Sequence, residues 1–120
     1  MSTLLFVYGT LKRGCVNHHH LAGQQLVGPA RTQPGYRLYD LGGFPGIMVK
    51  ETDREGVTGE VWVIDATSLG RLDEFEGVHQ GLYRRRTILL LPPFATDAIH
   101  AYFPTADSSG LREVGAEWRE

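Results

Sequence analysis

Hydrophobic and polar positions along this chain fall into short runs punctuated by glycine, and most of the runs read as strands. Leu4-Leu5-Phe6-Val7-Tyr8 is continuously apolar and predicts a buried first strand. Gly35 to Leu41 alternates with period two, and Gly56 to Ile64 does so with Val57, Gly59, Val61 and Val63 on one face. Ile47 to Lys50 and Ile99 to Phe103 predict two further strands. Tyr83 to Leu91 predicts a long one, polar through Arg84-Arg85-Arg86-Thr87, then apolar, then stopped by Pro92-Pro93. Gly42-Gly43-Phe44-Pro45-Gly46 and Thr52 to Glu55 read as turns.

Two segments carry helical signals. Asn17 to Gln25 predicts a short helix with Asn17 as N-cap. Ala66 to Phe75 predicts a longer one, capped by Asp65 and stopped by Gly77. The tail from Thr105 is polar, contains Gly110 and Gly115, and is expected to be loosely ordered. Mostly strands with one central helix predict an α+β fold or a closed mixed barrel.

The length, 120 residues, sets a single domain over 1–120 with room for a core that needs no staple. Twelve basic against 14 acidic residues give a formal net charge of −2, which speaks against nucleic-acid or anionic-membrane binding. The longest apolar run, Ile88 to Leu91, is too short to span a bilayer. Cys15 is the sole cysteine and no secretory leader pattern precedes the first strand, so a cytoplasmic location is expected. Oligomeric state is not legible.

Two features carry chemistry. The first strand breaks at Gly9 into Thr10-Leu11-Lys12-Arg13-Gly14. A strand followed by a glycine turn frees backbone amides from sheet pairing and can aim them at an anionic or oxyanionic group. Lys12 and Arg13 either sit at the rim, attracting an anion, or are simply solvated. The second feature is Glu76. Leu69, Leu72 and Phe75 mark the apolar, core-facing side of the predicted helix, and Glu76, four residues after Leu72 and seven after Leu69, falls on that same side. Glu74 points away. A carboxyl on a core-facing stripe finds a partner or has its pKa raised toward neutrality, where a general acid/base works best. The residues alone leave this open, and spacing by itself favours a Glu76 that frays into water at the helix end or pairs with Arg84 or Arg85.

Other candidates carry less. His18-His19-His20 cannot all face one ion from a helix or strand, and no second ligand cluster accompanies them, so no metal is expected. Cys15 has no identifiable base oriented by a third group. Gly9-x4-Gly14 continues with Cys15-Val16 and not with the Lys-Ser or Lys-Thr of a phosphate loop. Arg84, Arg85 and Arg86 alternate faces on a strand and form no continuous basic patch. Tyr83 and Tyr102 suit either a pocket wall or plain packing.

Taken together, the chain resembles the γ-glutamylcyclotransferase-like family, with its γ-glutamylamine cyclotransferases and small AIG2-like relatives. The resemblance rests on Val7-Tyr8-Gly9-Thr10-Leu11-Lys12-Arg13-Gly14 with Asn17-His18, then Gly42-Gly43-Phe44-Pro45, Val57-Thr58-Gly59-Glu60-Val61-Trp62, Leu72-Asp73-Glu74-Phe75-Glu76-Gly77, Tyr83-Arg84-Arg85 and Ala101-Tyr102. It implies an α+β fold built as a small mixed β-barrel with flanking short helices. It implies further that Tyr8, Gly9, Thr10 and Leu11 bind a small γ-glutamyl substrate, with Tyr83 alongside. Glu76 would then be the catalytic acid/base of a cofactor-independent cyclisation to 5-oxoproline. A barrel that binds a small ligand without turning it over is the alternative, and an intact Glu76 argues against it.

Overall fold

A computed structural model describes residues 1–120. Strand β1 (Ser2–Val7) is the centre of a five-stranded sheet. It lies between β5 (Thr58–Asp65), antiparallel to it, and β7 (Ile99–Pro104), parallel to it. β2 (Gln25–Arg31) flanks β5, and β6 (Tyr83–Thr87) flanks β7, both antiparallel. A second sheet holds β3 (Tyr36–Asp40) between β4 (Pro45–Val49) and β8 (Glu113–Gly115). The one α-helix, α1 (Ala66–Glu76), follows β5 directly.

The apolar run of β1 is explained by its position between two cores. Because side chains alternate along a strand, Phe6 points to one face while Leu5 and Val7 point to the other. Phe6 packs with Leu38 and Ile47 of the second sheet, and Leu5 and Val7 pack with Leu69 and Leu72 of α1. The same alternation divides β5, where Val61 faces the second sheet and Trp62 and Ile64 face the helix. A sheet covered on both sides therefore buries more of β5 than the single face that its pattern predicts.

The expected closed barrel is corrected to an open sheet with a second sheet on one face and a helix on the other. Edge strands β2 and β6 meet only beyond their ends, through an isolated bridge between Thr32 and Leu90. The long strand expected from Tyr83 to Leu91 stops at Thr87, because its apolar half changes partner. Leu91 donates from its N–H to the Arg31 carbonyl (2.8 Å) and Gln33 donates to Leu89 (2.9 Å). The helix expected over Asn17 to Gln25 shrinks to a 3-10 turn, His18–Leu21. It gives way to β2, whose Gly28 and Pro29 hide its strand character. As an edge strand, β2 tolerates a residue with no N–H to donate.

The polar turn from Thr52 to Glu55 is also more than a solvated loop. Asp53 is buried and accepts from the N–H groups of Gly35 (2.9 Å) and Gly56 (2.7 Å), stitching the approaches to β3 and β5 together.

The tail is tied down where loose order was expected. β8 pairs with β3, the Thr58 N–H donates to the Ala116 carbonyl (2.8 Å), and Trp118 packs against the core shared with Phe6 and Val57. Lys12 Nζ donates to the Trp118 carbonyl at 2.7 Å, and the Val16 N–H donates to the Glu120 carboxylate at 2.8 Å. Polar composition hid this because the anchoring is mostly backbone hydrogen bonding plus one aromatic side chain. Trp118→Ala should lower folding stability by about 1–2 kcal/mol, less than a fully buried aromatic would cost. Urea unfolding with an unchanged m-value measures it, and a loss within error of zero would show the tail to be unanchored.

Candidate functional site

β1 delivers its last residues into a cavity of about 430 Å³ between the β1 loop, the β3–β4 turn, the end of α1 and the start of β6. Tyr8 is buried, and its hydroxyl donates to the Tyr102 carbonyl at 2.7 Å. Gly9 follows where no side chain fits, since a Cβ there would lie 2.5 Å from Pro45 Cγ. The close approach of the loop to β4 requires glycine at this point.

Beyond Gly9 the loop separates its acceptors from its donors. The Gly9 carbonyl accepts from the Lys12 N–H (3.1 Å) and the Thr10 carbonyl from the Asn17 N–H (2.9 Å). His18 Nδ1 lies 2.9 Å from the Leu11 carbonyl. The Thr10 hydroxyl accepts from Asn17 Nδ2 at 3.0 Å. The N–H groups of Gly9, Thr10 and Leu11, by contrast, donate to nothing in the protein. Three unpaired donors in succession beside a cavity form a site for an anion or a carbonyl oxygen.

α1 supplies the carboxyl. Asp65 caps its start, accepting from the Ser68 N–H at 2.7 Å. Gly77 ends it in the left-handed region (φ 71°), with its N–H donating to the Asp73 and Glu74 carbonyls. Leu69 and Leu72 pin one face to the core, and that face carries Glu76 to the cavity wall. Burial alone pushes the Glu76 carboxyl up to about 7, with no cation to pull it back.

Asp73, one turn earlier, behaves in the opposite way. Burial pushes its carboxyl up, but hydrogen bonds from Arg85 (3.0 Å) and from the Tyr102 hydroxyl (2.7 Å) outweigh that and hold it below the usual range. Arg85 is thereby committed, and pairing of Glu76 with Arg84 or Arg85 is not what the structure contains. Two carboxyls on one helix side thus differ in ionisation, one lowered by its partners and one raised toward pH 7 in their absence.

The tyrosines around Glu76 stay protonated. Burial raises the Tyr83 hydroxyl pKa, helped by the nearby Glu76 charge. Burial likewise raises Tyr8, with Tyr83 and Glu76 adding to it. Tyr102 is raised by burial first and then by its hydrogen bond to Asp73. They offer neutral hydroxyls and apolar rings.

Tyr8, Gly9, Thr10, Leu11, Glu76 and Tyr83, the residues singled out from the sequence, all line this one cavity, as does Tyr102. Lys12 and Arg13 do not. Lys12 binds the tail, and Arg13 pairs with Glu60 through Nε at 2.9 Å. Cys15 lies outside the cavity and burial pushes its thiol pKa up, the wrong direction for a nucleophile. Sequence reasoning missed the wall made by Gly43, Phe44 and Pro45, although their turn signature was visible. It also placed Phe75 with the core; the side chain is 44% exposed at the cavity and stacks on His20, with centroids 4.2 Å apart.

The comparisons with known proteins agree with this architecture. The family model described as "Gamma-glutamyl cyclotransferase, AIG2-like" matches residues 5–120. A Vibrio cholerae protein named "Putative gamma-glutamylcyclotransferase" is 42% identical over 118 residues, which covers 98% of this chain and 96% of that protein. Among solved structures, YkqA of Bacillus subtilis superposes with a TM-score of 0.78 at 29% identity, covering 98% of this chain and 40% of that one. The solution structure of YtfP from Escherichia coli superposes with a TM-score of 0.70 at 30% identity, covering 97% of this chain and 95% of that one. With nearly its full length matched by the family model and by these relatives, the chain belongs to the gamma-glutamyl cyclotransferase, AIG2-like family.

Proposed function

We propose that this protein is a γ-glutamylcyclotransferase, converting a γ-glutamyl amide to 5-oxoproline and a free amine by intramolecular aminolysis. The observation that carries the reading is a carboxyl with no counter-ion, poised near pH 7, sharing a cavity with three successive unpaired amides.

The Glu76 carboxylate takes a proton from the α-ammonium of the glutamyl group. The freed amine attacks the γ-carbonyl carbon of the same molecule and closes a five-membered ring. The carbonyl electrons move to oxygen, and the N–H groups of Gly9, Thr10 and Leu11 receive the oxyanion. The tetrahedral centre then collapses, the bond to the original amide nitrogen breaks, and Glu76 returns its proton to that leaving nitrogen; the second proton, shed by the ring nitrogen on closure, ends on the released amine, which departs as its ammonium. Nucleophile and electrophile are on one molecule, so the protein's main task is to hold the reactive conformer. A pKa close to the working pH lets one carboxyl serve both proton transfers.

Glu76→Gln should reduce 5-oxoproline formation by a factor of about 10²–10⁴ while substrate still binds. The same variant should be more stable than the parent at pH 8. A carboxyl raised in the folded state binds its proton more tightly there than when unfolded. Stability is then lost as pH rises from about 4.5 toward 7, and an uncharged glutamine escapes that cost, on the order of 1–3 kcal/mol. Higher thermal stability with lost turnover separates chemistry from misfolding, and full turnover by Glu76→Gln would sink the assignment.

Gly9→Ala should lower kcat/KM by roughly ten- to a hundredfold, because the new Cβ pushes the amides off Pro45. Steady-state kinetics checks it, and unchanged kcat/KM would mean that the loop position does not matter to the reaction.

A further inference from the structure

Four large exposed apolar side chains, Val16, Phe44, Phe75 and Leu82, converge on the cavity that holds Glu76. They come from the β1 loop, the β3–β4 turn, the last turn of α1 and the segment before β6. Single exposed apolar residues are ordinary, but a group gathered around one cavity marks a surface that meets a ligand.

The cavity also lacks cations, since no lysine, arginine or histidine lines it. The basic groups near it are committed elsewhere: Lys12 to the Trp118 carbonyl, Arg13 to Glu60 and Arg85 to Asp73. His20 stacks on Phe75 but does not line the cavity, and burial, with His19 beside it, pushes its pKa below the usual histidine value, which disfavours its charged form.

We propose that the leaving amine of the substrate is apolar, an alkyl or arylalkyl amine without a carboxylate, and that γ-glutamyl amino acids and peptides are poor substrates. This rests on the γ-glutamyl amide reading given above. The free amides at one end of the cavity suit the polar glutamyl group, and the apolar mouth receives what is attached to it. A carboxylate on the leaving side would enter apolar surroundings with no cation to meet it.

The test compares γ-glutamyl-phenethylamide with γ-glutamyl-phenylalanine, which differ by one carboxylate, and with the γ-glutamyl amide of 1,4-diaminobutane. The expected kcat/KM is at least about tenfold higher for the phenethylamide than for either charged compound. Phe44→Lys should narrow its lead over γ-glutamyl-phenylalanine. Equal or better turnover of a charged compound overturns the proposal. If no compound yields 5-oxoproline, the cyclotransferase reading fails, and calorimetric titration of the same three compounds still decides the specificity. Tightest binding of the phenethylamide supports the proposal, whereas equal affinities, or binding by none, overturn it.

Discussion

Holding the Glu76 carboxyl out of water without a cation is an unfavourable arrangement that only the surrounding structure can impose, and most of the fold near the cavity serves it. α1 is fixed at its start by Asp65, along its length by Leu69 and Leu72, and at its end by the left-handed Gly77. A Cβ at Gly77 would also meet Leu82 at 2.7 Å, so the turn into β6 packs directly against the helix end. The Arg85 guanidinium, a partner the sequence offered to Glu76, is held by Asp73 and by a 2.9 Å contact to His100 Nδ1. Removing that guanidinium from reach of Glu76 is as much part of the site as the burial itself, since a nearby opposite charge lowers a carboxyl pKa by whole units.

The second half of the site follows from the same economy of hydrogen bonds. A loop that satisfied its own amides would be more stable and chemically inert. Here Asn17 bonds the Thr10 hydroxyl through its side chain and the Thr10 carbonyl through its N–H, while Glu60 accepts from the Arg13 N–H at 3.1 Å and pairs with its side chain. The loop is therefore held largely by its carbonyls and side chains, and the N–H groups of Gly9, Thr10 and Leu11 are left unpaired beside the cavity. The tail contributes through Lys12 and Val16, tying the far side of the loop to residues near the end of the chain.

Much of this was legible in the sequence, for reasons that differ by element. β1, β5 and α1 announce themselves because local patterning and capping agree with their final environments. The placement of Glu76 was legible because helical spacing from Leu69 and Leu72 fixes its direction. What the spacing leaves open is whether a cation meets it, since that depends on Arg85, which reaches the helix only through the sheet pairing of β6 with β7. β2 and β8 were hidden because edge strands need little apolar character and tolerate proline and glycine. The open sheet replaced the expected barrel because closure depends on the register of β2 against the segment after β6, a long-range property that no local pattern encodes. Phe75 misled because an aromatic at helical spacing reads as core, whereas here it faces a cavity.

The account stands most directly on the ionisation of one side chain. Carbon-13 NMR titration of the glutamate carboxyls, with the Glu76 signal assigned by its loss in Glu76→Gln, reports that pKa without requiring turnover. The expected midpoint is about 7, set by burial with no compensating charge. A midpoint near the ordinary value of about 4.3 would contradict the account, because the carboxyl would then be solvated or paired and no longer poised to exchange a proton at neutral pH.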